Sequence, residues 1–199
     1  MKKWIVFLVL LGLGIYWLWS PAKRYPPGIL ISTEPHMVMI DHPNPWPFQA
    51  KGKDYTITPR AEYTLDARVL SIDKEYDAAM IGPVDIAVGW GPMSDQRVID
   101  QMKIWQDNMR FWYCKPRGKD WPIPMNEVAL HAVNTHNIPA SPAVEKKLKS
   151  VRVGDLISVK GYLVDVSRKD GFSWGTSVDP SGFGDHSCKI IWVESFTIR

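Results

Sequence analysis

The chain has 199 residues, 45% of them hydrophobic and 23% charged, with 10 Trp, 16 Pro and a formal net charge of +3. That apolar content excludes a disordered chain, and many rings with many rigid turns point to a loop-rich β protein rather than a helix bundle. Without Lys2 and Lys3 the 24 basic residues fall to 22 against 21 acidic ones, so charge offers no basic stripe for nucleic acid, and none is expected as a partner.

The chain begins "MKKWIVFLVLLGLGIYWLWSPAKRYPPG", with no charge from Trp4 to Ala22. As a helix this run reaches about 28 Å, the hydrocarbon thickness of a bilayer. Trp4 at one end and Tyr16, Trp17 and Trp19 at the other form an aromatic belt. The expectation is a transmembrane anchor over 1–22 that meets the lipid bilayer through residues 4–22. A cleaved signal peptide or a buried helix are the alternatives. Ser20-Pro21-Ala22 is a poor cleavage site, which favours a retained signal anchor. Lys2, Lys3 and the amino terminus against Lys23 and Arg24 favour the N-terminus inside. No second apolar run follows. The expected location is therefore a bacterial inner membrane, with the C-terminal domain in the periplasm.

Eight prolines lie between Pro21 and Pro59, which excludes a helix or a central strand there. Residues 23–53 nevertheless hold Ile29, Ile31, Met37, Val38, Trp46 and Phe48. They are expected to form an extended arm packed along the domain, with a floppy tether as the alternative. A single β-rich domain is expected over 54–199. "AEYTLDARVLSID" and "VDIAVGWGP" predict strands, the second running into a glycine loop around Trp90. Ser94 is a possible cap for a helix through about Met102, and "NMRFWYCKP" predicts another strand.

In "PMNEVALHAVNTHNIPA", Asn126 is a plausible N-cap and Val128, Ala129, Ala132 and Val133 fall at helical spacing. The spacing predicts a helix that ends before Ile138-Pro139, with His131 and Asn134 on one face and His136 near its end. Ser141-Pro142 opens a second helix ending near Lys149. Over 151–199 a turn at Gly154-Asp155, a strand bent at Gly161, a hairpin at Lys169-Asp170-Gly171 and two further strands predict a C-terminal β unit. This is expected to be a small antiparallel barrel, OB-like or SH3-like, within an α+β, β-rich fold.

The segments "PVDIAVGWGPMSD", "NTHNIPA", "VGDLISVKGYLVDV" and "SCKIIWVES" resemble a family of uncharacterised bacterial single-span membrane-anchored proteins, over most of the chain after residue 80. The resemblance implies an extracytoplasmic location. The family has no established activity, so no catalytic residue is carried over.

Several side chains could do chemistry. Asn134 and His136 either close a helix end against Pro139 or, with His131, contact a ligand. Three ligands for a metal are not evident, and neither a metal nor a cofactor is expected. Cys188, His186 and His136 could form a nucleophilic Cys/His site, with Asn134 orienting the base. Trp90 is either an exposed stacking platform or a buried ring. Cys114 and Cys188 suit a disulfide in an oxidising compartment; two buried thiols or a reactive Cys188 are the alternatives. Three functions stay open: an envelope domain that binds another envelope protein or component, a membrane-tethered hydrolase using the His/Asn/Cys residues, and a barrel binding a small ligand or nucleic acid.

Overall fold

The computed structural model describes residues 22–74, 81–106, 111–180 and 187–199. The expected anchor, apart from Ala22, and His186 lie outside these residues. Among the described residues no helix is long and apolar enough to cross a membrane.

Among the described residues ten strands carry the fold: β1 (His36–Met39), β2 (Trp46–Ala50), β3 (Lys53–Asp73), β4 (Asp85–Gly89), β5 (Met102–Gln106), β6 (Trp112–Pro116), β7 (Ala132–Pro139), β8 (Leu156–Ser167), β9 (Ser173–Trp174) and β10 (Lys189–Ile198). A 3-10 turn (Gly91–Ser94) and three short helices join them: α1 (Gln96–Asp100), α2 (Met125–Leu130) and α3 (Pro142–Ser150). Five strands close on themselves in the order β3-β4-β7-β10-β8, with β8 returning to β3. All neighbours are antiparallel except β7 and β10, which are parallel. The connection between that parallel pair contains α3 and β8, in line with the need for a long crossover.

β3 is the spine. Its buried positions alternate from Tyr55 to Ala67, the period of a strand with one face in a core. It pairs with β8 from Thr56 to Arg68, and the register shifts between Pro59 and Ala61. A proline has no N–H to give the ladder, so the shift falls where pairing is already interrupted. Gly161 on β8 faces Val193, and a Cβ there would lie 1.9 Å from the Trp192 carbonyl oxygen. The expected bend is this close approach, and the β10 register shift at Val193–Ser195 lies opposite it.

The barrel interior is filled by Ala61, Tyr63, Leu65, Ile86, Val88, Val133, Val159, Leu163, Ile191 and Phe196, among others. A second apolar cluster, with Ile57, Ile138, Val164 and Ile190, is covered by Trp46, Phe48, Trp174 and Trp192. A third joins Ala87, Met93, Val98 and Ala132 to the β5–β6 hairpin.

The fold departs from the sequence expectations in the helix predicted before Ile138 and in the extent of the barrel. The helix predicted through Asn134 stops at Leu130, and residues 132–139 are a strand buried along almost its whole length. The helical spacing of four apolar residues was outweighed by pairing on both edges, with β4 and with β10. The barrel is not confined to residues 151–199, because β3, β4 and β7 precede them. The Pro-rich arm contributes β1 and β2 to the edge of β3. Upstream of β1 the arm is stitched down: the Gly28 N–H donates to Asp95 Oδ1, and the Leu30 and Ile31 N–H groups both donate to Ser94 Oγ. The Lys23 N–H donates to the Val153 carbonyl, and its ammonium lies 2.7 Å from Asp155.

Candidate functional site

The β4–β7–β10 register assembles a line of three groups. Asp85 and His136 are direct partners across β4 and β7. His136 is the direct partner of Ile190 on β10, and Cys188 stands two residues before Ile190, so strand alternation directs it to the same face. Asp85 Oδ2 lies 2.5 Å from His136 Nδ1. Cys188 is the second polar neighbour that raises the His136 pKa, after Asp85. Asp85 and His136 are 2% and 3% exposed, while Cys188 is only partly buried. The Trp174 ring packs against the imidazole with centroids 4.6 Å apart.

Burial disfavours a charged imidazole, but the hydrogen bonds and charges of Asp85 and Cys188 outweigh it, and the His136 pKa is pushed up to about 9. The ring is therefore protonated at neutral pH. The carboxylate on Nδ1 fixes the orientation of the ring, and a cysteine beside an imidazolium is a candidate nucleophile.

The other expected residues are dispersed. Asn134 lies on the same face as His136, two residues away, but its Oδ1 accepts from Gln106 Nε2 at 2.7 Å. The side chain on His136 Nδ1 is Asp85. His131 caps the end of α2, separate from Asn134 and His136. Its Nδ1 lies 2.8 Å from the Glu127 carbonyl oxygen and its Nε2 lies 3.4 Å from Glu34. Trp90 is 2% exposed, so it is no open platform, and its indole N–H donates to Glu34 Oε2 at 2.7 Å.

Neither Cys114 nor Cys188 is in a disulfide. Cys114 sits on β6, packed against the third apolar cluster, and burial pushes its thiol up to about 11. Cys188 instead stands at the head of β10 beside His136. Among the described residues no cluster of His, Cys, Asp and Glu could hold a metal ion.

Asp85 is the residue that sequence reasoning missed as a partner of His136. Its signal was present: a carboxylate opening the otherwise apolar strand "DIAVG", where burial requires a counter-charge. A second group, Lys189, is 4% exposed and lines a cavity of about 310 Å³ with Trp90, Tyr63 and His131.

No family model, no curated protein and no solved structure matches the chain.

Proposed function

We propose that this chain is a membrane-tethered domain of OB type that acts as a thiol hydrolase on acyl bonds, with Cys188 as nucleophile, His136 as acid and base, and Asp85 as the group that holds the imidazole. The observation that carries the reading is the carboxylate and imidazole paired across adjacent strands, with the Cys188 thiol just before the strand that pairs with the imidazole's own. The OB assignment rests on the closed order β3-β4-β7-β10-β8, the parallel third and fifth barrel strands, and α3 between the third and fourth. In such barrels the face of the second and third strands, with the loops after the first and fourth, is the usual ligand surface. Asp85 and His136 lie on the corresponding strands, and Trp174 and Cys188 on the segment between the fourth and fifth. Fold analogy supports where to look, and the side chains support what happens there.

The chemistry follows from these roles. The Cys188 thiolate, paired with the protonated His136, attacks an acyl carbonyl carbon. The bond to the leaving group breaks, and His136 gives that group its proton. His136 then takes a proton from water as the water oxygen attacks the thioester, and the carboxylic acid departs with regeneration of the thiol pair. Asp85 keeps Nδ1 occupied throughout.

Anchorage in a bacterial inner membrane, with the barrel in the periplasm, remains part of this proposal. Its support is the uncharged run over 4–22 and the clamp at Lys23, which would hold the barrel close to the end of the span. A reporter active only in the periplasm, fused after Arg199, should be active; inactivity would refute the topology.

The hydrolase reading is tested with a panel of aryl esters and thioesters, comparing wild type with Cys188→Ala, His136→Ala and Asp85→Asn. Hydrolysis is expected in wild type, lost in the first two and reduced at least a hundredfold in the third. Hydrolysis equal in wild type and Cys188→Ala would refute it. A second reading, an envelope-binding domain without catalysis, is favoured by the cavity beside Trp90. It predicts that Cys188→Ala retains full cellular function.

A further inference from the structure

The β5–β6 hairpin is a separate two-stranded sheet with two unlike faces. Met102, Ile104, Trp112 and Cys114 belong to the third apolar cluster. Strand alternation sends Lys103, Trp105, Tyr113 and Lys115 to the opposite face. Register pairs Lys103 with Lys115 and Trp105 with Tyr113. The two rings stack with centroids 5.5 Å apart and planes 20° from parallel, and the Lys103 ammonium lies 5.3 Å from the centre of the Trp105 ring. Both lysines are exposed and both rings are half-buried.

Like charges directly opposite each other on a strand pair oppose the pairing. Neither strand has a carboxylate to relieve these two. Exposed Arg117 continues the positive charge past β6. Lys119 and Asp120 offset each other in formal charge, as do Asp107 and Arg110, which lie outside the described residues. Asp100, at the end of α1, is taken by Arg24 and Gln96. The root of the hairpin marks where this face sits. Met102, Ile104 and Arg117 line one cavity with Ala22, Lys23 and Arg24. Ala22 closes the uncharged run over 4–22, so the root lies beside the end of that run.

We propose that the face bearing Lys103, Trp105, Tyr113 and Lys115 lies on the anionic phospholipid headgroups of the bilayer that holds the anchor. Basic residues beside a span are drawn to anionic headgroups, and Trp and Tyr, apolar rings with a polar tip, favour the interface. A headgroup phosphate between the two lysines supplies the countercharge that the strands lack. Contact at both the anchor and the hairpin holds the barrel in one orientation on the membrane. The proposal rests on the anchorage proposed above and is independent of the thiol chemistry.

Photocrosslinking of the full chain in lipid nanodiscs tests it. The photoreactive p-benzoylphenylalanine replaces Phe111, which is exposed just before β6, and in a control it replaces Val38, exposed on β1. The discs hold phosphatidylcholine alone or an equal mixture with phosphatidylglycerol, and lipid adducts are read by mass spectrometry. Position 111 is expected to give at least fivefold more lipid adduct in the mixed discs than in phosphatidylcholine. The double variant Lys103→Gln, Lys115→Gln should fall to the phosphatidylcholine yield, and position 38 should give no adduct. Equal yields in the two lipids, an unchanged yield in the double variant, or as much adduct at 38 as at 111 would overturn the proposal. An adduct to a protein in place of lipid in native membranes would overturn it too. A chain that elutes apart from the discs would refute the anchorage and this proposal with it, whereas a chain held in the discs without adduct at 111 would refute this proposal alone. If the double variant fails to fold, the comparison of the two lipids decides.

Discussion

Asp85 and His136 face each other across β4 and β7, carboxylate oxygen to Nδ1 at 2.5 Å, with both side chains at most 4% exposed. A buried pair of this kind costs desolvation that the attraction must offset, and its energetic signature is the loss on removing one partner. Asp85→Asn leaves a buried imidazole whose charge burial then opposes. Its pKa should fall below the ordinary histidine value, as read by NMR titration of the ring. Unfolding free energy should drop by about 3 kcal/mol or more. An unchanged His136 titration would show that the carboxylate does not hold the ring.

The same pair sets a pH dependence. The folded His136 pKa, about 9, lies above its unfolded value near 6.5. The stability it contributes is therefore fully present below pH 6.5 and is lost as pH rises through 9. A shift of this size corresponds to on the order of 3 kcal/mol. Denaturant midpoints of the wild type should fall across that window, and those of His136→Gln should fall less. Parallel curves for the two proteins would contradict the assignment.

Ser94 ties the arm to the barrel. Its Oγ accepts from the Leu30 and Ile31 N–H groups and donates to the Gly91 carbonyl, 2.7 Å away. Ser94→Ala leaves two inner N–H groups without that acceptor, at a cost of about 2 kcal/mol. Tryptic cleavage after Lys23 and Arg24 should quicken severalfold. Equal cleavage rates would mean that the arm is held elsewhere.

Gly91 has φ of +49°, and a Cβ there would lie 2.5 Å from His131 Cδ2. Backbone strain and the clash act together, so Gly91→Ala should destabilise by about 2 kcal/mol in thermal melts. Its effect should shrink in the double variant with His131→Ala, because the clash partner is gone. A full loss in the double variant would assign the whole cost to φ.

Strand character was legible wherever apolar residues alternate, as along Tyr63, Leu65, Ala67 and Val69, and so was α3, whose Ser141 cap accepts from the Val144 N–H. The stretch from Val133 to Pro139 was not. Its period suits a short helix, and only the neighbours β4 and β10, distant in sequence, make it a strand. That misreading hid the site. On a helix His131 and Asn134 would share a face; on a strand Asn134 and His136 do, and register then pairs His136 with Asp85. Residues 51 positions apart meet through strand order, which local spacing does not encode. The cysteines misled for the same reason: an even count suggests a bridge, while topology puts Cys114 against an apolar cluster and Cys188 against His136.

The cysteines give a stability test as well. A disulfide closing about 75 residues would contribute on the order of 4 kcal/mol in the chain-entropy model. Without one, Cys114→Ala removes only part-buried packing and should cost about 1 kcal/mol. Intact mass under non-reducing conditions should show two thiols. A mass two hydrogens lower would show a bridge.

The central claim is an activated thiol at Cys188, and its most direct measurement is the rate of alkylation by iodoacetamide, followed site by site by mass spectrometry from pH 5 to 10. Cys114, with its thiol pushed up to about 11, is the slow internal reference. Cys188 should react at least a hundredfold faster than Cys114 at pH 7, and His136→Gln should slow Cys188 at least tenfold while leaving Cys114 unchanged. Equal rates at the two cysteines, or a Cys188 rate indifferent to His136→Gln, would contradict the account.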